Sequence, residues 1–373
     1  MSLRDRLAAT AAPKNSNTLL QKYGVLQNPY PSSSQNADNP HQRLNIDDEI
    51  DARVESFVRD SKSQVIVVVG TQGTGKTNVL NFYERELKTA LSSLDGFYVV
   101  RYLADPESSF DGTLRRLFQE LGFDHLRTLG QRLKKAKDGG SLDDAIEVAR
   151  SHEVRIALRK LAASDGDSEV VTNLNEWFLG LRLLKAHRET LGVNFRLDTV
   201  ESKTAALRDL IQVSSHVGLL NGVFLLLDEL EKQDGVLSAT AVVRYLSAMR
   251  AIIDALPNHL FMMVAVTPDA LRRYSVALPA FRSRLESRIE LAPLTELGQA
   301  KALSEFYLEE ARAQAEKAGQ GNLGNECLVD EEEIENLFMS ALERARHSGD
   351  EGVRQRQFLH LLHTEAERRI QAL

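Results

Sequence analysis

The chain has 373 residues, room for two domains, and its 46 Lys and Arg against 53 Asp and Glu leave a net charge of −7. That balance excludes a polycation that coats nucleic acid by charge alone, so any DNA contact needs a local patch or an assembly. The single cysteine, Cys327, excludes an intramolecular disulfide and a cysteine zinc cluster.

No apolar run reaches the length of a membrane span, and the N-terminus (Arg4, Asp5 and Arg6, with no long apolar core) does not read as a secretory signal. A cytoplasmic, non-membrane protein is the expectation. Residues 1–45, rich in Ser, Asn, Gln and Pro, predict an irregular lead-in around Asn28-Pro29-Tyr30-Pro31. Ile46, Ile50, Val54 and Val58 then recur at helical spacing. Gln64–Val69 is a continuous β-branched run, as in a strand buried on both faces of a parallel sheet. A helix is predicted over Lys76–Leu94 and a strand over Phe97–Leu103.

The next sheet-like run, Val223–Leu227, comes more than a hundred residues later. Mostly helical pattern fills the interval (Leu114–Leu121, Ser141–Ala162, Glu169–Leu184, Thr199–His216), with nearly balanced charge. This reads as a helical insertion, about 105–217, that covers one side of the sheet. Leu260–Val266 and Arg288–Leu291 complete the strands. Beyond Pro293 the pattern is helical (Leu294–Ala318, Asp330–Arg346, Arg354–Ala372). The organisation predicted is a lead-in over 1–45, an α/β nucleotide-binding domain over 46–293 and a small all-α domain over 294–373.

Gly70-Thr71-Gln72-Gly73-Thr74-Gly75-Lys76-Thr77 satisfies G-x-x-x-x-G-K-[ST] between a buried strand and a helix. Glycines let the backbone close around phosphates, and N–H groups at the helix start face them. Lys76 would bridge the β- and γ-phosphates of ATP, and the Thr77 hydroxyl would ligate Mg²⁺. Val223–Leu227 ends in Asp228-Glu229. Asp228 would complete the Mg²⁺ shell and Glu229 would polarise the attacking water, a hydrolase-type pairing. Thr267, after Leu260–Val266, is placed to reach the γ-phosphate or the water, with a plain turn threonine as the alternative. Arg284 is a candidate arginine finger reaching a neighbouring subunit, against a solvated basic helix end. Arg354, with Arg356 as competitor, would sense the γ-phosphate from the C-terminal helices.

Together these features resemble the AAA+ ATPases, and within them the initiator-like clade of origin-recognition and transposon-regulator ATPases. A closer likeness, carried by Trp177-Phe178-Leu179-Gly180, Leu197–Leu210 and Gly218–Gly222 leading into Leu227-Asp228-Glu229-Leu230-Glu231, is to P-loop ATPases of BREX-type phage-defence systems. The resemblance implies a sheet in the order 5-1-4-3-2, nucleotide at a subunit interface, and homo-oligomeric rings or filaments. Initiators usually carry a winged helix after the lid. This sequence reaches Leu373 directly after its lid helices, which puts autonomous, sequence-specific DNA binding in doubt. Two functions follow as expectations. One is an ATP-hydrolysing machine component acting on or near double-stranded DNA. The other is an ATP-gated scaffold that recruits an effector protein without touching DNA. A small-molecule kinase is disfavoured by the paired carboxylates and the helical lid.

Overall fold

Val65–Val69, Leu225–Leu227 and Leu260–Val266 have little to offer water, and in the computed structural model such runs become the strands of one sheet. The structure describes residues 16–32, 39–103, 109–232, 238–319 and 323–373. Residues 1–15 and 33–38 of the predicted lead-in, the start of the predicted insertion at 105–108, and 320–322 of the predicted glycine-rich break therefore lie outside the described residues.

The strands are β1 (Gln64–Gly70), β2 (Phe97–Leu103), β3 (Gly222–Asp228), β4 (Leu260–Val266) and β5 (Arg288–Leu291). Their order is β2-β3-β4-β1-β5, the 5-1-4-3-2 arrangement that the resemblance implied, read from the other edge. β1 pairs with β4, β4 with β3 and β3 with β2, all in parallel. Period-two alternation divides each strand between two faces. Val67, Val69, Leu225, Leu227, Met262 and Val264 join the core formed with the helical insertion. On the opposite face, Phe224 and Phe261 pack with Phe57 at centroid distances of 5.0 and 5.5 Å.

The helices are α1 (Ser16–Tyr23), α2 (Asn45–Asp60), α3 (Lys76–Ala90), α4 (Asp111–Asp138), α5 (Leu142–Glu147), α6 (His152–Ala163), α7 (Ser168–Phe178), α8 (Lys185–Leu191), α9 (Val200–His216), α10 (Ala239–Ala255), α11 (Pro268–Ala277), α12 (Pro279–Arg282), α13 (Leu297–Lys317), α14 (Glu331–His347) and α15 (Gln355–Gln371). Helices α4 to α9 are the insertion. Gly122, at φ +64°, kinks α4 just where the predicted helix over Leu114–Leu121 stops.

The described residues form two compact units that do not follow the chain linearly. One draws on the described residues within 1–43, 70–81 and 291–373, the other on those within 44–69 and 82–290.

In the larger unit, the insertion is closed by a clasp. Trp177 Nε1–H donates to the Phe195 carbonyl (2.9 Å), and Arg196 Nε–H donates to that of Gly180 (2.7 Å). Gly180 is required there: its φ is +73°, and a Cβ would come within 2.4 Å of the Leu197 carbonyl oxygen. Lys203, which is 1% exposed, pairs with Asp111 of α4. The buried Asp209 carboxylate accepts from the Arg150 and Ser151 amides (3.0 and 2.7 Å) at the start of α6. His125 bridges the Tyr98 hydroxyl (2.7 Å) and the Ser214 hydroxyl (2.8 Å), and burial holds its imidazole down at about 4.

In the other unit, α13, α14 and α15 enclose a core of Leu303, Tyr307, Phe338, Phe358 and Leu362. Here the expectation of an irregular lead-in is corrected for Ser16–Tyr23, which is helical. Polar composition hides it, and tertiary packing of Leu19 and Tyr23 into this core supports so short a helix. The Asn28–Pro31 segment is bolted down as well. Asn28 Nδ2 donates to the His363 carbonyl (3.0 Å) and to Glu367 (2.9 Å), and the Tyr30 hydroxyl pairs with that of Ser304 (2.8 Å).

Candidate functional site

The residues singled out in the sequence fall into two groups, one in each unit. The first is the loop 70–77 with the start of α15. β1 ends at Gly70, and the chain turns through Gly73 (φ +87°) and Gly75 (φ +103°) into α3. These conformations favour glycine, and close packing enforces it. A Cβ on Gly70 would lie 2.4 Å from Thr74 Oγ1 and 3.1 Å from Leu291 Cβ. One on Gly73 would lie 3.2 Å from Arg356 Cβ, and one on Gly75 would lie 2.8 Å from Gln355 Oε1. The Thr74 hydroxyl donates to the Thr71 carbonyl at 2.9 Å, which tightens the turn.

Lys76 is buried, and its ammonium donates to the carbonyls of Gly70 (2.9 Å) and Thr71 (3.3 Å). The cation therefore curls back over its own loop at the N-terminus of α3, where the helix dipole also favours an anion. Thr77 is in the first turn. One turn on, Asn78 Oδ1 meets His41 Nδ1 at 2.7 Å, and Asn78 Nδ2 donates to the Pro40 carbonyl at 3.1 Å.

Arg354 and Arg356 both adjoin this loop. The Arg356 amide donates to the Gly73 carbonyl at 3.0 Å. Arg354 is the N-cap residue of α15, and its guanidinium is held by Asp350 at 3.1 Å. Arg356 has an exposed side chain. Gln355, between them, is the residue that closes on Gly75, and no motif marks it.

The second group surrounds the C-terminal ends of β3 and β4. Asp228 is fully buried, and Arg101 of β2 donates to its Oδ2 at 2.7 Å. The other carboxylate oxygen accepts the Glu229 amide at 2.9 Å. Glu229 adopts φ +55°, uncommon for a residue with a side chain, and pairs with Lys232. Strained backbone of this kind clusters at functional positions.

Thr267 caps α11, its oxygen accepting the Ala270 amide at 3.4 Å. β4 lies between β1 and β3, as the reading of Thr267 required. Arg284 is 42% exposed, and its Nε–H donates to Asp254 at 2.7 Å.

Sequence reasoning passed over Arg101. The available signal was an arginine inside an otherwise apolar strand, where a buried charge demands a partner. It also passed over Tyr83 of α3, whose hydroxyl donates to Asp51 (2.9 Å) and to the Asp47 carbonyl (3.1 Å). Burial first, and then the Asp47 charge, push this phenol up.

Gly70, Gly73 and Gly75 hold the loop in a close-packed turn where added side chains would meet Thr74, Arg356 and Gln355, and the buried Lys76 ammonium lies over it. Among the described residues no three His, Cys, Asp or Glu side chains gather as a metal cage. Thr77 and Asp228 supply hard oxygen donors. Each is of the kind Mg²⁺ takes, and the two residues belong to different units. Among the described residues no helix is long and apolar enough to cross a membrane.

Residues 145–364 match the family model described as BREX system ATP-binding protein BrxC/D. That span includes the Trp177–Gly180 clasp, Asp228, Glu229, Thr267, Arg284 and Arg354, and begins after the glycine loop. No curated protein matches the chain. Among solved structures, the Aeropyrum pernix ORC2 protein in ADPNP–ADP complexes is 13% identical, with a TM-score of 0.44, over 90% of this chain and 71% of that one. Its ADP form is 12% identical, with a TM-score of 0.41, over 89% and 71%.

Proposed function

Because the chain belongs to the BREX system ATP-binding protein BrxC/D family, we propose that it hydrolyses ATP, assembles through its nucleotide interface and acts on or near DNA in phage defence. The observation that carries this reading is the cradle of Gly70, Gly73 and Gly75 crossed by the buried Lys76.

In this reading Lys76 binds the β- and γ-phosphate oxygens, and the loop amides with the N-terminus of α3 hold the remaining negative charge. The Thr77 hydroxyl and the Asp228 carboxylate hold Mg²⁺. The metal, when bound, supplies positive charge against the phosphates. Glu229 orients the attacking water and accepts its proton at a carboxylate oxygen. The Thr267 O–H donates toward the γ-phosphate or the water. Arg354, released from Asp350, reads the γ-phosphate, and Arg356 is the alternative on the same turn. Arg284, released from Asp254, serves the nucleotide of a neighbouring copy.

The net charge of −7 favours a second reading, an ATP-gated scaffold that recruits an effector without direct DNA contact. One experiment separates them: mass and ATPase rate of wild type and Lys76→Ala, with and without ATP and duplex DNA. ATP-dependent assembly with DNA-stimulated turnover supports the first reading. Assembly with DNA affecting neither size nor rate supports the scaffold. Tight ATP binding by Lys76→Ala refutes the loop assignment.

A further inference from the structure

Arg101 sits where an arginine needs a reason. Its strand pairs Arg101 with Leu226 and Leu103 with Asp228. Arg101 and Asp228 therefore share one face of the sheet, a diagonal step apart, within reach of a long side chain. The Arg101 side chain is 15% exposed and that of Asp228 is 0% exposed. The guanidinium has a second anion beside it: its Nε lies 3.8 Å from Glu84 Oε2 on α3, and the other Glu84 oxygen pairs with Lys88 at 2.7 Å. One arginine thus lies between two carboxylates, closer to the buried one.

A carboxylate sealed from water this thoroughly is unstable as a bare charge, so it takes either a cation or a proton. Arg101 is that cation here. A divalent metal needs the same carboxylate, and with both cations on it the like charges repel. We propose that Arg101 is a positioning residue that competes with the divalent metal for Asp228, with Glu84 as the seat it falls back on when metal loads. The inference rests on the reading of Asp228 as a metal ligand. The arginine lowers metal affinity while keeping the empty carboxylate compensated, so it sets the metal concentration at which the site fills.

The test is Mn²⁺ binding to the full chain at fixed, saturating ADP, followed by loss of the free-ion EPR signal, which requires no turnover. Arg101→Met removes the competitor without changing side-chain length much. Its half-saturating Mn²⁺ should fall roughly tenfold, within the usual range of couplings between two sites. Arg101→Lys should restore most of the wild-type value. A merely structural arginine would weaken Mn²⁺ binding when lost, so a half-saturation equal to or above wild type in Arg101→Met overturns the proposal. Should Arg101→Met not fold, Glu84→Gln provides the second arm. It removes the alternative seat and should raise half-saturation severalfold, and no change overturns the proposal. Asp228→Asn tells the two layers apart. Wild-type Mn²⁺ binding in that variant refutes the metal assignment itself. Loss of binding there, with Arg101→Met unchanged, refutes the arginine's role alone.

Discussion

Lowering the pH from 7.5 to 5 should destabilise this protein by about 2 kcal/mol through His125 alone. The imidazole is 3% exposed and wedged between the Tyr98 and Ser214 hydroxyls, neither of which carries a charge to stabilise an imidazolium. Burial lowers it from 6.5 to about 4. The unfolded chain therefore binds a proton between those values and the folded chain resists it. The contribution is complete above pH 6.5 and is lost as pH falls toward 4. At about 1.36 kcal/mol per pH unit, the gap caps the loss at about 3 kcal/mol, of which about 2 is reached by pH 5. Equilibrium urea unfolding at both pH values, for wild type and His125→Gln, isolates the residue from every other titrating group. Wild type should lose about 2 kcal/mol more than the variant. Equal losses, or a wild type that gains stability on acidification relative to the variant, refute the argument.

Three further outcomes follow from the site. Gly73→Val should abolish nucleotide binding, because φ +87° and a Cβ 3.2 Å from Arg356 Cβ leave no room for a branched side chain, at a cost of about 2 kcal/mol or more; a fluorescent ADP analogue titrated with wild-type affinity would count against the cradle. Glu229→Gln should keep ATP binding and lower turnover at least ~100-fold, the range for a lost general base, as read by phosphate release. Arg284→Ala should leave binding by the single chain unchanged and reduce the ATPase rate of the assembly by roughly 10³-fold or more. A wild-type rate per chain that does not depend on protein concentration would remove the finger assignment.

Local signals made much of this fold readable. β1, β3 and β4 are buried on both faces, so each is an unbroken apolar run. The glycine loop carries its whole logic within eight consecutive residues, from Gly70 to Thr77. What depends on distant register was not readable. Arg101 and Asp228 lie 127 positions apart and meet only because β2 pairs with β3. The Trp177 clasp was visible as a familiar pattern, yet its purpose, an indole N–H holding the Phe195 carbonyl, appears only once the insertion is folded. α1 was missed for the converse reason. Its residues favour a loop locally, and a core built from the far end of the chain overrides them. At Thr267 and Arg284 the sequence left a plain turn and a solvated helix end as alternatives, and neither the cap that Thr267 makes nor the Asp254 partner of Arg284 was visible in it.

The seat of the Asn28–Pro31 segment has a consequence for the order in which the protein is made. Tyr30 is held by His363, 333 residues later in the chain. At about 5–20 residues per second of synthesis, roughly 17–67 s pass between the emergence of the two. Throughout that interval Leu19, Tyr23 and Tyr30 have been translated and their core has not. The unit built from 44–69 and 82–290 has all its segments once residue 290 is made, while the unit that contains Gly73 also needs residues from 291–373. The glycine loop is thus without its Gln355 and Arg356 neighbours until those residues have been made, long after the loop itself.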